Sequence, residues 1–271
     1  MLLWSLGPIF IKYLAGSLDS WTQNALRYSV AFLFWLPYLL LCIRKKRFDS
    51  QILRKAVAPS IANVLLQSCW AATFYYMNPA FAVLLTKTSV LWIVAFSLVL
   101  LPQERRLLKR KRLWLCLILC LTGVMGVMWA KEDFSASGSL FGIALALSAA
   151  FCWGLYTVSI RIAFRDTNSL LGFSIVSLYT SIGLWLAALC VGDIAACLHI
   201  GWRVWGLLIL SAATSIAMAH VCYYAAIKRL GATIPALVIL VQPFLVLLMS
   251  RLVFNEHLNI LQLCFGIVLI S

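Results

Sequence analysis

The sequence predicts an all-α integral membrane protein, with ten transmembrane helices arranged as two inverted five-helix repeats. Three observations support this prediction. Of the 271 residues, 64% are hydrophobic and 11% are charged, whereas soluble domains carry about 25% charged residues. Apolar runs of about 20 residues, the length needed to cross a bilayer, recur along the chain. Two pairs of similar segments also recur about half a chain apart.

Ten apolar runs are candidate membrane spans. The first and the last are too short to cross a hydrocarbon layer about 30 Å thick, so we expect the termini to be clipped. The runs lie at about 1–16, 23–43, 57–77, 79–102, 113–130, 139–162, 170–190, 204–226, 232–254 and 259–271.

Basic residues fall in the short loops between these runs. The loops after the second and fourth runs contain Arg44–Arg47 and Lys109–Arg112, and the loops after the sixth and eighth contain Arg165 and Lys228. Because cytoplasmic loops are enriched in Lys and Arg, even-numbered spans are predicted to end in the cytoplasm, with both termini cytoplasmic. The formal charge of +14 therefore reflects topology, and nucleic acid is not an expected partner.

Two pairs of similar segments indicate an internal repeat. Trp4–Leu6 (WSL) matches Trp153–Leu155 (WGL) at an offset of 149 residues. Leu101–Glu104 (LPQE) matches Val253–Glu256 (VFNE) at an offset of 152.

The predicted repeats are residues 1–132 and 133–271, which together form one membrane domain. Each repeat contains five spans. Because five is odd, the second repeat must cross the membrane in the opposite sense to the first. This inverted arrangement is typical of secondary transporters.

Several motifs resemble those of one transporter family. The second half carries the better copy, with Gln242-Pro243 near the middle of the ninth span. The first half reads Val90–Trp92 where the family has a matching proline, and Lys87 lies one turn earlier. With ten spans and paired tryptophans, the chain resembles the EamA-like branch of the drug/metabolite transporter superfamily. The other matching segments are Asn24–Tyr28, Tyr223–Ile227, Gly231–Thr233, Glu104 and Glu256.

This resemblance implies a secondary transporter, an exporter or exchanger, that moves a small metabolite by alternating access around a central cavity. Amino acids and related compounds are the first substrate class it implies. Anionic organic phosphates, nucleotide sugars and other nucleoside-containing metabolites are the alternative, and a non-transporting membrane scaffold is a remote one. The expected location is the bacterial inner (cytoplasmic) membrane, as a monomer or homodimer. An enzyme is not expected, because no Ser/His or Cys/His unit and no HExxH motif occurs.

Lys87 is the most unusual residue of the predicted spans. It lies eight residues after Pro79, which places it about 12 Å into the membrane. A cation at such depth costs roughly 3 kcal/mol, and the eight acidic residues fall in loops or at span ends. Lys87 is therefore predicted either to bind an anionic substrate group or to bridge helices through hydrogen bonds. Exchange or facilitated diffusion is favoured over proton coupling, unless Lys87 or His220 titrates.

Further substrate-binding candidates are amides and aromatic residues. Asn63, Gln67, Trp70 and Phe74 are spaced by four, three and four residues, so they share one face of the third span. Such a stripe suits a cavity wall that binds a zwitterion or a planar group, and interhelical hydrogen bonding is the alternative. The remaining candidates are Gln242, Trp4, Trp153 and Tyr156.

Four residues are predicted to act in gating or structure. Arg27 lies near the outer end of the second span, where a side chain can also snorkel to the interface. Pro243 frees a carbonyl in the ninth span. His220 and Tyr223 lie near the cytoplasmic end of the eighth span, where a lone His is more often a packing residue than a proton carrier. No metal or cofactor is predicted, because the nine cysteines form no CxxC pair and His is scarce.

Overall fold

The computed structural model of the protein describes residues 2–104 and 139–254, with the single positions 110, 111, 114, 115, 118, 119, 122, 260 and 264. These residues are mainly helical and contain no strand. The first half forms α1 (Leu2–Leu14), α2 (Ser20–Arg44), α3 (Gln51–Tyr76), α4 (Pro79–Thr86) and α5 (Ser89–Leu100). The second half forms α6 (Leu140–Ala163), α7 (Ser169–Val191), α8 (Trp202–Ser211), α9 (Ala219–Leu230), α10 (Thr233–Val238) and α11 (Gln242–Phe254).

The described helices confirm an all-α membrane fold. Eight of the ten predicted spans correspond to helical segments of the described chain. The predicted spans at 113–130 and 259–271 and the repeat boundary at 132 lie largely outside the described residues, so the count of ten and the boundary remain predictions. Five described segments are long and apolar enough to cross a membrane: Ser20–Arg44, Pro79–Leu100, Leu140–Ala163, Ser169–Val191 and Trp202–Leu230.

Helices α2 and α7 begin at equivalent residues of the two repeats. Asp19 Oδ1 accepts hydrogen bonds from the backbone N–H groups of Trp21 (2.9 Å) and Thr22 (3.0 Å). Asn168, at the offset of 149 residues, accepts one at Oδ1 from the N–H of Leu170 (2.9 Å). Asp and Asn are preferred at this position because a side-chain oxygen satisfies a free N–H of the first turn. The repeat seen in the sequence therefore has a counterpart in the helix starts.

The two halves pack directly on each other. Helix α2 lies against α7, and α6 lies against both α3 and α5. A Cβ added at Gly154 of α6 would lie 2.6 Å from the Cβ of Trp92, and one added at Gly183 of α7 would lie 2.6 Å from Cγ2 of Val64. Glycine lets transmembrane helices approach closely, so these contacts need residues without a side chain.

Two spans are interrupted at equivalent positions. The fourth predicted span was expected as one helix, but α4 ends at Thr86 and α5 begins at Ser89. In the ninth, a 3₁₀ turn at Ile239–Val241 separates α10 from α11. Lys87 and Ile239, the first residues of the two interruptions, are 152 residues apart, which is one of the two repeat offsets.

The eighth span contains a third irregularity. A π-helical segment, Ala212–Met218, joins α8 to α9. Such segments are rare and occur often at functional sites. Ser215 of this segment lies close to α1, because a Cβ added at Gly7 would be 3.3 Å from the Cβ of Ser215. The segment and α1 therefore approach each other beside the two interruptions.

Candidate functional site

A small cavity lies where the two interrupted spans meet α1, α2, α3, α6, the π-helical segment and the start of α9. Its volume is about 50 Å³, which is room for a few water molecules, whereas ligand pockets typically measure about 300 Å³ or more. The cavity must therefore widen before it can hold a metabolite. Its lining residues are Trp4, Gly7, Pro8, Arg27, Leu66, Gln67, Trp70, Thr86, Lys87, Ser89, Ala149, Trp153, Ser215, Ile216, His220, Ile239 and Gln242.

Lys87 links the two interrupted spans. Its side chain is 4% exposed, and Nζ donates a hydrogen bond of 2.6 Å to Oε1 of Gln242 at the start of α11. Gln242 Nε2 in turn donates to the backbone oxygen of Trp4 at 3.1 Å. The contact with Gln242 is a hydrogen bond between helices, as one of the two interpretations of Lys87 requires. Because Lys87 also lines the cavity, a substrate role stays a prediction.

Arg27 is the second cation of the cavity wall. Its side chain is 2% exposed, with Nε donating to Ser211 Oγ at 2.9 Å and Nη2 donating to Ser215 Oγ at 3.0 Å. The snorkelling interpretation is therefore wrong, because the guanidinium is enclosed between α2 and the eighth span. Two serines, one helical turn apart on that span, provide the hydroxyl acceptors that replace interfacial water.

Aromatic rings form one side of the cavity. The equivalent residues Trp4 and Trp153 meet edge to face, with ring centroids 5.2 Å apart. Trp4 also contacts His220 at 5.3 Å and Tyr223 at 4.8 Å. The paired tryptophans that indicated the repeat therefore come together at the cavity.

His220 lies in the second half of its span. The helical segment Trp202–Leu230 has 29 residues, and ten of them follow His220. That this end of the segment is cytoplasmic stays a prediction. The ring of His220 is stacked on Phe173 with centroids 5.2 Å apart. This position places the imidazole at the cavity.

The cavity includes most, but not all, of the predicted site residues. Six of the eight substrate-binding candidates line it: Lys87, Gln67, Trp70, Gln242, Trp4 and Trp153. Of the four gating or structural candidates, Arg27 and His220 line it.

The other four candidates lie behind this wall or beside it. Asn63 Nδ2 donates to Thr180 Oγ1 at 3.0 Å. Tyr156 shares a hydrogen bond of 3.0 Å with the hydroxyl of Tyr224, and Tyr223 shares one of 2.9 Å with Thr157. Pro243, the second residue of α11, follows the interruption directly, where the missing N–H of a proline is tolerated.

Small residues of the lining were not predicted from the sequence. Gly7 and Pro8 lie in α1, Thr86 and Ser89 flank the first interruption, and Ser215 belongs to the π-helical segment. The proline of α1 is one signal that could have revealed this wall, since Pro in a transmembrane helix often accompanies local irregularity. The serines and threonine carry no comparable signal.

A basic residue caps the end of another helix in each repeat. Lys12 Nζ donates to the backbone oxygen of Phe74 at 3.0 Å, near the end of α3. Arg161, at the offset of 149 residues, donates through Nη1 to the backbone oxygens of Ile227 (3.0 Å) and Lys228 (2.9 Å), near the end of α9. Cations stabilise free carbonyls at helix C-termini. Lys12 and Arg161 therefore fix the third span of their own repeat.

Comparison with known protein families defines the class of this chain, which is a membrane transporter of small molecules built from two repeats. The model of the EamA-like transporter family matches residues 1–129 and again residues 140–271, so the chain belongs to this family. The resemblance proposed from the motifs is thereby confirmed. The match spans two repeats, which agrees with the drug/metabolite transporter superfamily.

A solved structure shares the same fold. It is described only as the crystal structure of a protein, and it aligns with a TM-score of 0.70 at 16% sequence identity. The alignment covers 99% of this chain and 93% of the other. No curated protein matches the chain significantly.

Proposed function

We propose that the protein is a secondary carrier for a small metabolite with a carboxylate group, most simply an amino acid, and that it works by alternating access. One observation supports this most strongly. Arg27 and Lys87 both line the central cavity, and its described lining contains no Asp or Glu. A cavity with two cations and no acid is suited to an anionic group of the substrate.

The contacts of the two cations favour this assignment. The hydrogen bonds above join Arg27 to serine hydroxyls and Lys87 to an amide oxygen, and these acceptors are neutral. Charged side chains inside a membrane are costly and usually mark a substrate path. A bound carboxylate would lower this cost, because Arg can hold it through two parallel hydrogen bonds and Lys adds a compact positive charge.

The interrupted helices support the alternating-access part of the proposal. Discontinuous helices at the repeat interface form the substrate sites of several transporter folds. Here the two interruptions are joined by the hydrogen bond from Lys87 to Gln242. A substrate anion that competes for the Lys87 ammonium would release Gln242, and the two halves could then separate on one side of the cavity.

Organic phosphates and nucleotide sugars are the second candidate class, since phosphate also suits an Arg and Lys pair. The aromatic wall of Trp4 and Trp153 and the small cavity favour the smaller carboxylates. We further propose that the protein lies in the bacterial inner membrane with both termini cytoplasmic, and that it is a monomer or homodimer.

Counterflow in proteoliposomes tests this function. Labelled amino acids, organic phosphates and nucleotide sugars are offered to the wild type, to Lys87→Ala and to Lys55→Ala, a control at an exposed lysine of α3. We expect flux of the amino-acid class, lost in Lys87→Ala and kept in Lys55→Ala. The melting temperature in detergent shows whether each variant is folded. Undiminished flux through a folded Lys87→Ala variant would remove Lys87 from the site.

A further inference from the structure

His220 has one ring nitrogen whose role the carrier proposal leaves open. The side chain is 3% exposed and lines the cavity. Nδ1 lies 3.1 Å from the backbone oxygen of Ile216, while Nε2 is buried and meets no hydrogen-bonding group in the described part of the chain. Buried polar atoms nearly always have a partner, so an exception at a cavity wall calls for an explanation.

The Ile216 contact determines what Nε2 can offer. A carbonyl oxygen only accepts hydrogen bonds, so Nδ1 must carry a proton there. In the neutral imidazole, Nε2 then has a lone pair and acts as an acceptor. A doubly protonated ring would add a third positive charge to a cavity that already has Arg27 and Lys87, so we consider the neutral ring.

Neighbouring rings hold the imidazole in place. Phe173 stacks on one face at a centroid distance of 5.2 Å, and Trp4 meets the ring edge to face at 5.3 Å. The contact of Nδ1 with the backbone oxygen of Ile216 also fixes the orientation of the imidazole ring. An acceptor held in this way discriminates strongly between ligands with and without a matching donor, because a ligand that lacks the donor leaves the acceptor buried and unsatisfied.

We propose that Nε2 of His220 accepts a hydrogen bond from a donor on the carbon next to the substrate's carboxylate. The site would then select 2-amino or 2-hydroxy acids over the plain carboxylates of the same carbon skeleton. This inference rests on the proposed function, in which Arg27 and Lys87 bind the carboxylate. It adds a selection between carboxylates that two cations alone cannot make.

This selection is measured as competition against the counterflow of labelled amino acids. The competitors are alanine, leucine and phenylalanine, each with its 2-hydroxy analogue and its unsubstituted carboxylate. We expect the wild type to prefer the amino or hydroxy compound by about tenfold, since a buried acceptor left unsatisfied has roughly this effect on affinity. Comparing the amino and hydroxy compounds shows which donor the site takes. A wild type that binds all three members of each series equally would overturn the inference without any variant.

His220→Phe tests the residue itself, because the substitution keeps a ring between Phe173 and Trp4 and removes the acceptor. The preference should disappear, while the affinity for the plain carboxylate is retained. His199→Phe is the matched control: it makes the same substitution at an exposed histidine and should keep the preference. His220→Leu replaces the first variant if Phe prevents folding. An unchanged preference in a folded His220 variant refutes only the role of His220 and leaves the proposed function intact. A wild type that binds none of the nine compounds refutes the proposed function as well.

Discussion

The two halves of this transporter build the same architecture from different chemistry. Both interrupt the equivalent span, but the first half does so at Lys87 and the second at Ile239, just before Gln242-Pro243. Both cap the equivalent helix, with Asp19 in the first half and Asn168 in the second. The charged member of each pair lies in the first half. The repeat therefore supplies the geometry, while the two halves differ in which side chains are charged.

The largest effect we expect comes from a proline inside α5, and a proline at the interruption itself should cost much less. Leu91 is equivalent to Pro243 and lies in the first turn of α5, where its N–H bonds to Thr88 at 3.0 Å. Leu91→Pro should cost only about 1 kcal/mol in the free energy of unfolding, because the helix is already interrupted. Ala95→Pro, one turn further along, should cost about 3 kcal/mol or more. Unfolding in mixed micelles measures the free energy of unfolding of the two variants. Equal decreases in Leu91→Pro and Ala95→Pro would show that the interruption does not accommodate proline.

A smaller effect should follow from giving the second half a charge. Gln242→Glu places a carboxylate beside Lys87, so the ammonium would be neutralised by the protein instead of by the substrate. We expect the affinity for anionic substrates to fall about 10- to 100-fold, the range of a lost charged hydrogen bond. Gln51→Glu, at an exposed position of α3, is the control in the same counterflow assay. Unchanged affinity in Gln242→Glu would indicate that the substrate does not approach Lys87.

The smallest effect concerns the two helix caps. Burial raises the pKa of the Asp19 carboxyl, but contacts with Thr22 and with the N–H groups of Asp193 and Trp21 outweigh it and hold the pKa below the ordinary 3.8. A lowered pKa adds stability above the unfolded-state value of about 3.9, and this stability is lost as the pH falls through the folded-state pKa.

Asp19→Asn gives the first half the cap of the second and removes this titration. The melting temperature in detergent should therefore fall more steeply for the wild type than for the variant between about pH 5 and pH 3. Parallel curves would mean that Asp19 does not contribute to the pH dependence.

Much of this fold could be predicted from the sequence, because long apolar runs and a repeated motif need no tertiary information. Lys87 and the paired tryptophans were also recognisable, the first by its cost in a membrane and the second by their equivalence. Arg27 was harder, since the serines that enclose it lie 184 and 188 residues away in the chain. Asn63 shares a helical face with Gln67, but periodicity does not indicate where along that face the cavity ends.

The affinity for a carboxylate relative to its neutral amide tests the central claim most directly. Alanine, leucine and phenylalanine are compared with their carboxamides as competitors of counterflow, in the wild type, in Arg27→Gln and in the exposed control Arg203→Gln. The wild type and the control should prefer the carboxylate by about tenfold or more, the range of a charged hydrogen bond, and Arg27→Gln should lose most of that preference. Equal competition by acid and amide in the wild type would contradict an anion site between Arg27 and Lys87.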